Sequence, residues 1–131
     1  MPKHSFTAQR QFDDERFTPV PVHSDDHQKT ILAFFEPGQF VPVHAPDSSL
    51  TVYVRDGAGT VVDGDDVHDV SLHDVVTVPA GEDRGIRAAE EGRLEVLLVA
   101  SPPPDADDHE PVRRGLEAGV FRPERAAPTE S

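Results

Sequence analysis

The chain has 131 residues, enough for one domain with a single core and too few for two ordinary ones. Its 12 basic and 25 acidic residues give a net charge of -13, which points away from nucleic acid, whose phosphate backbone requires a basic face. Cysteine is absent, so a disulfide framework, a thiolate nucleophile and a cysteine-type zinc site are excluded as well.

The basic residues are ten Arg and only two Lys, and the acids are spread along the chain rather than blocked together. That composition matches a halophilic, acidic protein: at molar salt the Debye length falls to roughly 3 Å and the self-repulsion of such a surface is screened. The first residues, "MPKHSFTAQRQFDDER", lack the apolar stretch of a secretory signal, and no apolar run approaches the roughly 20 residues of a membrane span. A soluble, cytoplasmic protein with no membrane partner is the expectation.

In chain order, 13 Pro and nine Gly punctuate short apolar runs, an all-β pattern. Residues 1–17 read as an N-terminal arm. "TPVPVH" (18–23) is an edge strand, because its two prolines cannot donate to a ladder. "TILAFFE" (30–36), "FVPVH" (40–44) and "LTVYVR" (50–55) are strands, the first and last of which close at Pro37-Gly38 and Asp56-Gly57. "GTVVDGDDVHDV" (59–70) is a hairpin turning at Asp63-Gly64, where positive φ is required. "DVVTVPAG" (74–81), "GIRAA" (85–89) and "RLEVLLVA" (93–100) complete an evenly spaced set, placing a barrel or sandwich over 18–101. Residues 102–131 read as a Pro-rich linker, a short helix over 110–119 with Pro111 in its first turn and Gly119 beyond its end, and a disordered tail from 122. That helix would lie over the barrel through Val112, Leu116 and Phe121.

Residues 31–101 resemble the cupin superfamily. Gly38, His44 and Gly57 fall in register with its first motif, G-x5-H-x-H-x3-E-x6-G, and Pro79 and Gly81 with its second, G-x5-P-x-G-x2-H-x3-N. The resemblance implies an antiparallel double-stranded β-helix, or jelly-roll, barrel. It also implies one divalent transition metal held by two His and a Glu of the first motif and the His of the second. Of those ligands only His44 is kept: Pro46, Leu50 and Arg84 stand at the other three positions, His73 at the second motif's first glycine, and Ala88 at its asparagine.

One imidazole cannot hold a transition metal against water, and a guanidinium has no lone pair to give. The expectation is therefore a small-molecule-binding domain without the usual metal. Its ligand would be a small organic anion gripped bidentately by Arg84 and bonded by His44, with Asp47 nearby and Leu50, Val52, Val54 and Ala88 shaping the cavity. One alternative is a metal-dependent isomerase or oxygenase acting on a small metabolite, using His44 with new ligands drawn from Asp47, His23, His68 and His73. Another is a structural or regulatory dimer with a filled barrel. Arg84 could instead be paired with Asp47 or Asp83, which would make it a structural ion pair. "HSDDH" (23–27) and "DGDD" (63–66) read as solvated turns rather than metal loops. Thr51, Tyr53 and Arg55 alternate outward, and one of Phe34 and Phe35 must face out, which points to an aromatic surface for a homodimer.

Overall fold

The structure is a computed structural model, and it describes residues 3–122. A single helical turn, α1 (Phe6–Gln9), precedes nine strands: β1 (Thr18–Ser24), β2 (Lys29–Phe35), β3 (Phe40–His44), β4 (Ser49–Asp56), β5 (Ala58–Asp63), β6 (Asp66–Ser71), β7 (Val75–Val78), β8 (Arg84–Ala88) and β9 (Leu94–Ser101). A helix, α2 (Ala106–Ala118), follows. Two antiparallel sheets face each other, one ordered β1-β2-β9-β4-β7 and the other β3-β8-β5-β6. This is the double-stranded β-helix expected from the sequence, with β1 at a sheet edge as its prolines require.

Period-two alternation sets the inner face. Across the larger sheet, Lys29, Ala100 and Leu50 lie in one row, Ile31, Leu98 and Val52 in the next, and Ala33, Val96 and Val54 in a third. Across the smaller sheet, Asp63, Arg84 and His44 form one row and Val61, Ile86 and Val41 the next. The deeper rows fuse into the core around Phe35, Val54, Val61, Leu94 and Val96, where Phe17 stacks on Phe35 at 5.3 Å. Gly57 closes β4 at φ +88, and a Cβ there would lie 2.0 Å from the Arg93 carbonyl oxygen, so the tight corner between β4 and β5 is built on it.

Three expectations are corrected. The helix begins earlier than 110: Asp105 caps it, accepting from the Asp108 backbone while the Asp108 side chain accepts from the Asp105 backbone. Pro111 consequently sits inside the helix rather than in its first turn, where it removes one intrahelical bond; Gly119 does end the helix, in the left-handed conformation at φ 70. The outward phenylalanine is Phe34, but it is fully buried, because Phe6 and Phe12 of the N-terminal arm pack edge-on against it at 6.1 and 5.7 Å. Arg10 of the same arm pairs with the buried Glu95 at 2.7 Å. The aromatic surface expected there is occupied by the chain's own arm. Of the expected disordered tail, 123–131 lie outside the described residues. Among the described residues, no helix is long and apolar enough to cross a membrane.

Helix α2 is seated on β3 through Gly115, where an added Cβ would come within 2.6 Å of Pro42 Cβ. The Phe121 carbonyl then accepts from Val43 N at 2.7 Å, and its ring meets Phe40 edge-on at 5.6 Å. At an ordinary helical position Gly→Ala stabilises by about 1 kcal/mol. Gly115→Ala is expected to do the reverse, lowering the midpoint of urea unfolding and speeding amide exchange in α2; an unchanged or higher midpoint would show that the helix does not depend on this contact.

Candidate functional site

Between the two sheets, at the end where β3 and β8 meet α2, lies a cavity of about 380 Å³. The barrel is thus not filled by its own side chains. Its walls are mostly apolar: Ile31, Leu50 and Leu98 from the larger sheet, Val41 and Ile86 from the smaller, Val112 and Leu116 from α2. Among the described residues, no Asp or Glu lines it, whereas four cations do: Arg16, Lys29, Arg84 and Arg113. Arg113 is paired on its own helix with Glu110 and Glu117.

The two expected anchors are brought together. His44 and Arg84 are directly opposed across the β3–β8 ladder, which sets their Cβ atoms about 5 Å apart. Arg84 is only 3 % exposed. Its Nη2 donates to the Pro79 carbonyl at 2.9 Å and to the Glu82 carbonyl at 3.3 Å, and its Nε to the same Glu82 oxygen at 3.3 Å. Those bonds fix the guanidinium and consume the edge that a bidentate grip would use, so among the described residues the expected fork is replaced by one nitrogen without an acceptor, Nη1. Burial draws the Arg84 pKa down from its ordinary value, and Asp108 and Asp63 oppose that.

His44 lines the cavity and its Nδ1 lies 2.9 Å from the Pro42 carbonyl oxygen. Burial is the largest influence on its ring and lowers its pKa; Arg84 and His109 act in the same direction, against the Pro42 hydrogen bond and Asp108.

The remaining predicted residues divide. Leu50 lines the cavity. Val52, Val54 and Ala88 do not: they lie in the closed core, Val52 in the same row as Ile31 and Leu98 but outside the wall, Val54 one row deeper and Ala88 one row below Ile86. Asp47 is exposed in the loop after β3 and is not a wall residue. Arg16, Lys29, Ser48, His109 and Arg113 line the cavity, and the sequence does not mark them as wall residues. Stepping back two residues from Ile31 would find Lys29; Arg16 and the helix residues reach the wall only through tertiary packing. Ser48, 2 % exposed, donates from Oγ to the Pro102 carbonyl at 2.6 Å and so ties the β3–β4 loop to the segment leading into α2.

The turn readings hold for the two acidic segments. In "HSDDH" the Asp25 carboxylate accepts from the backbone of His27 and Gln28 and lies 2.8 Å from His23 Nε2. The His23 contact and those backbone bonds hold its pKa down to about 2. "DGDD" forms the β5–β6 hairpin, with His68 Nε2 3.2 Å from Asp63 Oδ2. His73 sits at φ 74, the conformation natural to the glycine whose motif position it occupies; its Nδ1 lies 2.8 Å from the Tyr53 hydroxyl.

Architecture and cavity together define a class: a double-stranded β-helix domain with a ligand-sized hollow at one end of the barrel. An RmlC-like cupin protein from Desulfovibrio desulfuricans is 32% identical to this chain with a TM-score of 0.70, the match covering 79% of this chain and 98% of that one. The TT1209 protein of Thermus thermophilus shares the fold at 23% identity and TM-score 0.76, over 79% of this chain and 100% of its own. A conserved double-stranded β-helix protein from Klebsiella pneumoniae does so at 16% and 0.71, over 78% and 90%. No protein-family model and no curated protein matches the sequence. The chain belongs to the cupin superfamily.

The metal that this family resemblance implies does not fit the residues present. Pro46 and Leu50 offer no donor atom and Arg84 offers only N–H groups and positive charge, leaving His44 alone. Among the described residues, no group of three or more His, Asp or Glu is arranged to hold a metal ion, and His23, His68 and His73 do not line the cavity.

Because the folded state lowers the His44 pKa, the unfolded chain takes up that proton first as pH falls. The His44 contribution to stability is therefore complete above the ordinary histidine pKa of about 6.5 and is lost below it, until pH passes the folded value. His44→Gln is expected to lose less unfolding free energy than wild type between about pH 7.5 and about pH 5.5, measured by urea denaturation; equal losses would contradict the assignment.

Proposed function

We propose that this cupin domain binds a small organic anion with an apolar body, the charged end at Arg84 and His44 and the body among Ile31, Leu98, Ile86 and Leu116. The observation that carries the reading is the sorting of charge. In a chain with 25 acidic and 12 basic residues, the cavity wall contains none of the described acids and four of the bases. Chance placement on an acidic protein favours the opposite.

Arg84 adds a second argument. A buried guanidinium is expensive to desolvate, and replacing such a group by an apolar residue is often neutral or stabilising. Holding it at the end of an apolar cavity, secured by two carbonyls and with Nη1 left over, is a sensible arrangement for recognising an anion and a poor one for stability alone. Lys29 and Arg16 make no ion pair among the described residues, and they supply further positive potential along the same wall.

The test is calorimetric titration with phenylacetate and with its neutral amide. Phenylacetate should bind and the amide should not. Arg84→Met, which retains the apolar volume, should melt close to wild type and lose phenylacetate affinity by about tenfold or more. Equal binding of acid and amide, or an unaffected Arg84→Met variant, would remove the anion from the proposal.

A further inference from the structure

The two anchors differ in what they offer. The Pro42 carbonyl can only accept, so the Nδ1 that lies 2.9 Å from it carries the ring hydrogen. Nε2 of the neutral imidazole is then a bare acceptor. The groups around the ring favour that neutral form: burial foremost, with Arg84 from β8 and His109 from α2, against Asp108 from α2 and the Pro42 bond. Arg84 presents the converse. With Nε and Nη2 committed to Glu82 and Pro79, Nη1 keeps two N–H groups that meet no acceptor among the described residues. Across one cross-strand pair the site therefore sets a cationic donor beside a neutral acceptor.

A plain carboxylate satisfies only half of this. One oxygen can take an Nη1 hydrogen, but nothing on the ligand gives a hydrogen to Nε2, and a second carboxylate oxygen turned toward that lone pair is repelled. A buried acceptor left unmatched costs affinity. Resting on the anion-binding reading above, we infer that the ligand is a carboxylate bearing a hydrogen-bond donor, a hydroxyl or amide N–H, on the carbon next to the carboxylate, with His44 reading the donor and Arg84 the charge. The apolar walls then take the substituent on that same carbon, as Val41, Ile86 and Leu116 surround the space beyond the pair.

Mandelate and phenylacetate share the ring and the carboxylate and differ by one hydroxyl, so their calorimetric affinities isolate the inference. Wild type should bind mandelate about tenfold more tightly than phenylacetate. His44→Leu should bring the two acids to equal affinity, and His44→Gln, whose amide oxygen still accepts, should keep part of the preference; Arg84→Met should weaken both. Equal affinities in wild type, with both acids lost in Arg84→Met, would overturn the role given to His44 and leave the anion site standing. A mandelate preference that survives in folded His44→Leu would also overturn it. Failure of both acids to bind wild type would overturn the anion reading and this inference together.

Discussion

The mouth of the barrel is organised around one buried charge. Arg84, 3 % exposed, stands between Asp63 and His44 in a single cross-strand row. Its desolvation is offset by carbonyls of the 79–82 turn and by the more distant carboxylates of Asp63 and Asp108. Neighbouring features follow from that placement. The 79–82 turn is held against the β3–β4 loop by Gly81 N donating to the Pro46 carbonyl, so the guanidinium, the turn and the loop are one unit. Helix α2 brings Asp108 and His109 within electrostatic reach of His44. The arrangement also explains why an Arg at a metal-ligand position does not produce a filled core: a cation that must be solvated by carbonyls cannot be packed by leucines.

The wider electrostatics act in two senses. A net charge of -13 creates a surface that repels anions at low ionic strength, while the carboxylate-free cavity creates a local region that attracts them. Salt screens the first over a few ångströms and affects the second less, because partly buried charges are less exposed to counterions. Were an anion to bind there as proposed, added salt would weaken the surface repulsion more than the attraction at Arg84.

Much of the scaffold is legible in the sequence because its physics is local. Alternating apolar residues mark the strands, and the expected and observed bounds of β3, Phe40–His44, coincide because Gly38 and the Pro46-Asp47 turn punctuate both sides. The hairpin at Gly64 and the end of α2 at Gly119 follow from positive φ. The start of α2 is harder to read because its capping pair is Asp105 and Asp108, hidden in a segment whose prolines and acids look like linker. Phe6 and Phe12 give no local signal that they cover Phe34, since nothing in an arm's sequence states where it docks. The same limit applies to the site. Strand register places His44, Arg84 and Leu50, but neither the depth nor the breadth of the hollow is visible in it, so Val54 and Ala88, a row below it, and Val52, in a lining row but outside the wall, are expected there. Arg16 and His109 are invisible for the reason Phe12 is.

An apolar carboxylate is proposed to sit in the hollow beside Arg84. Intermolecular nuclear Overhauser effects between methyl-labelled protein and phenylacetate test it without reference to affinity. Contacts are expected from the ring protons to the methyl groups of Ile31, Ile86, Leu98 and Leu116, which share the cavity wall. Contacts confined to the exposed Val67, Leu72 and Val75, with none to the cavity methyls, would contradict it.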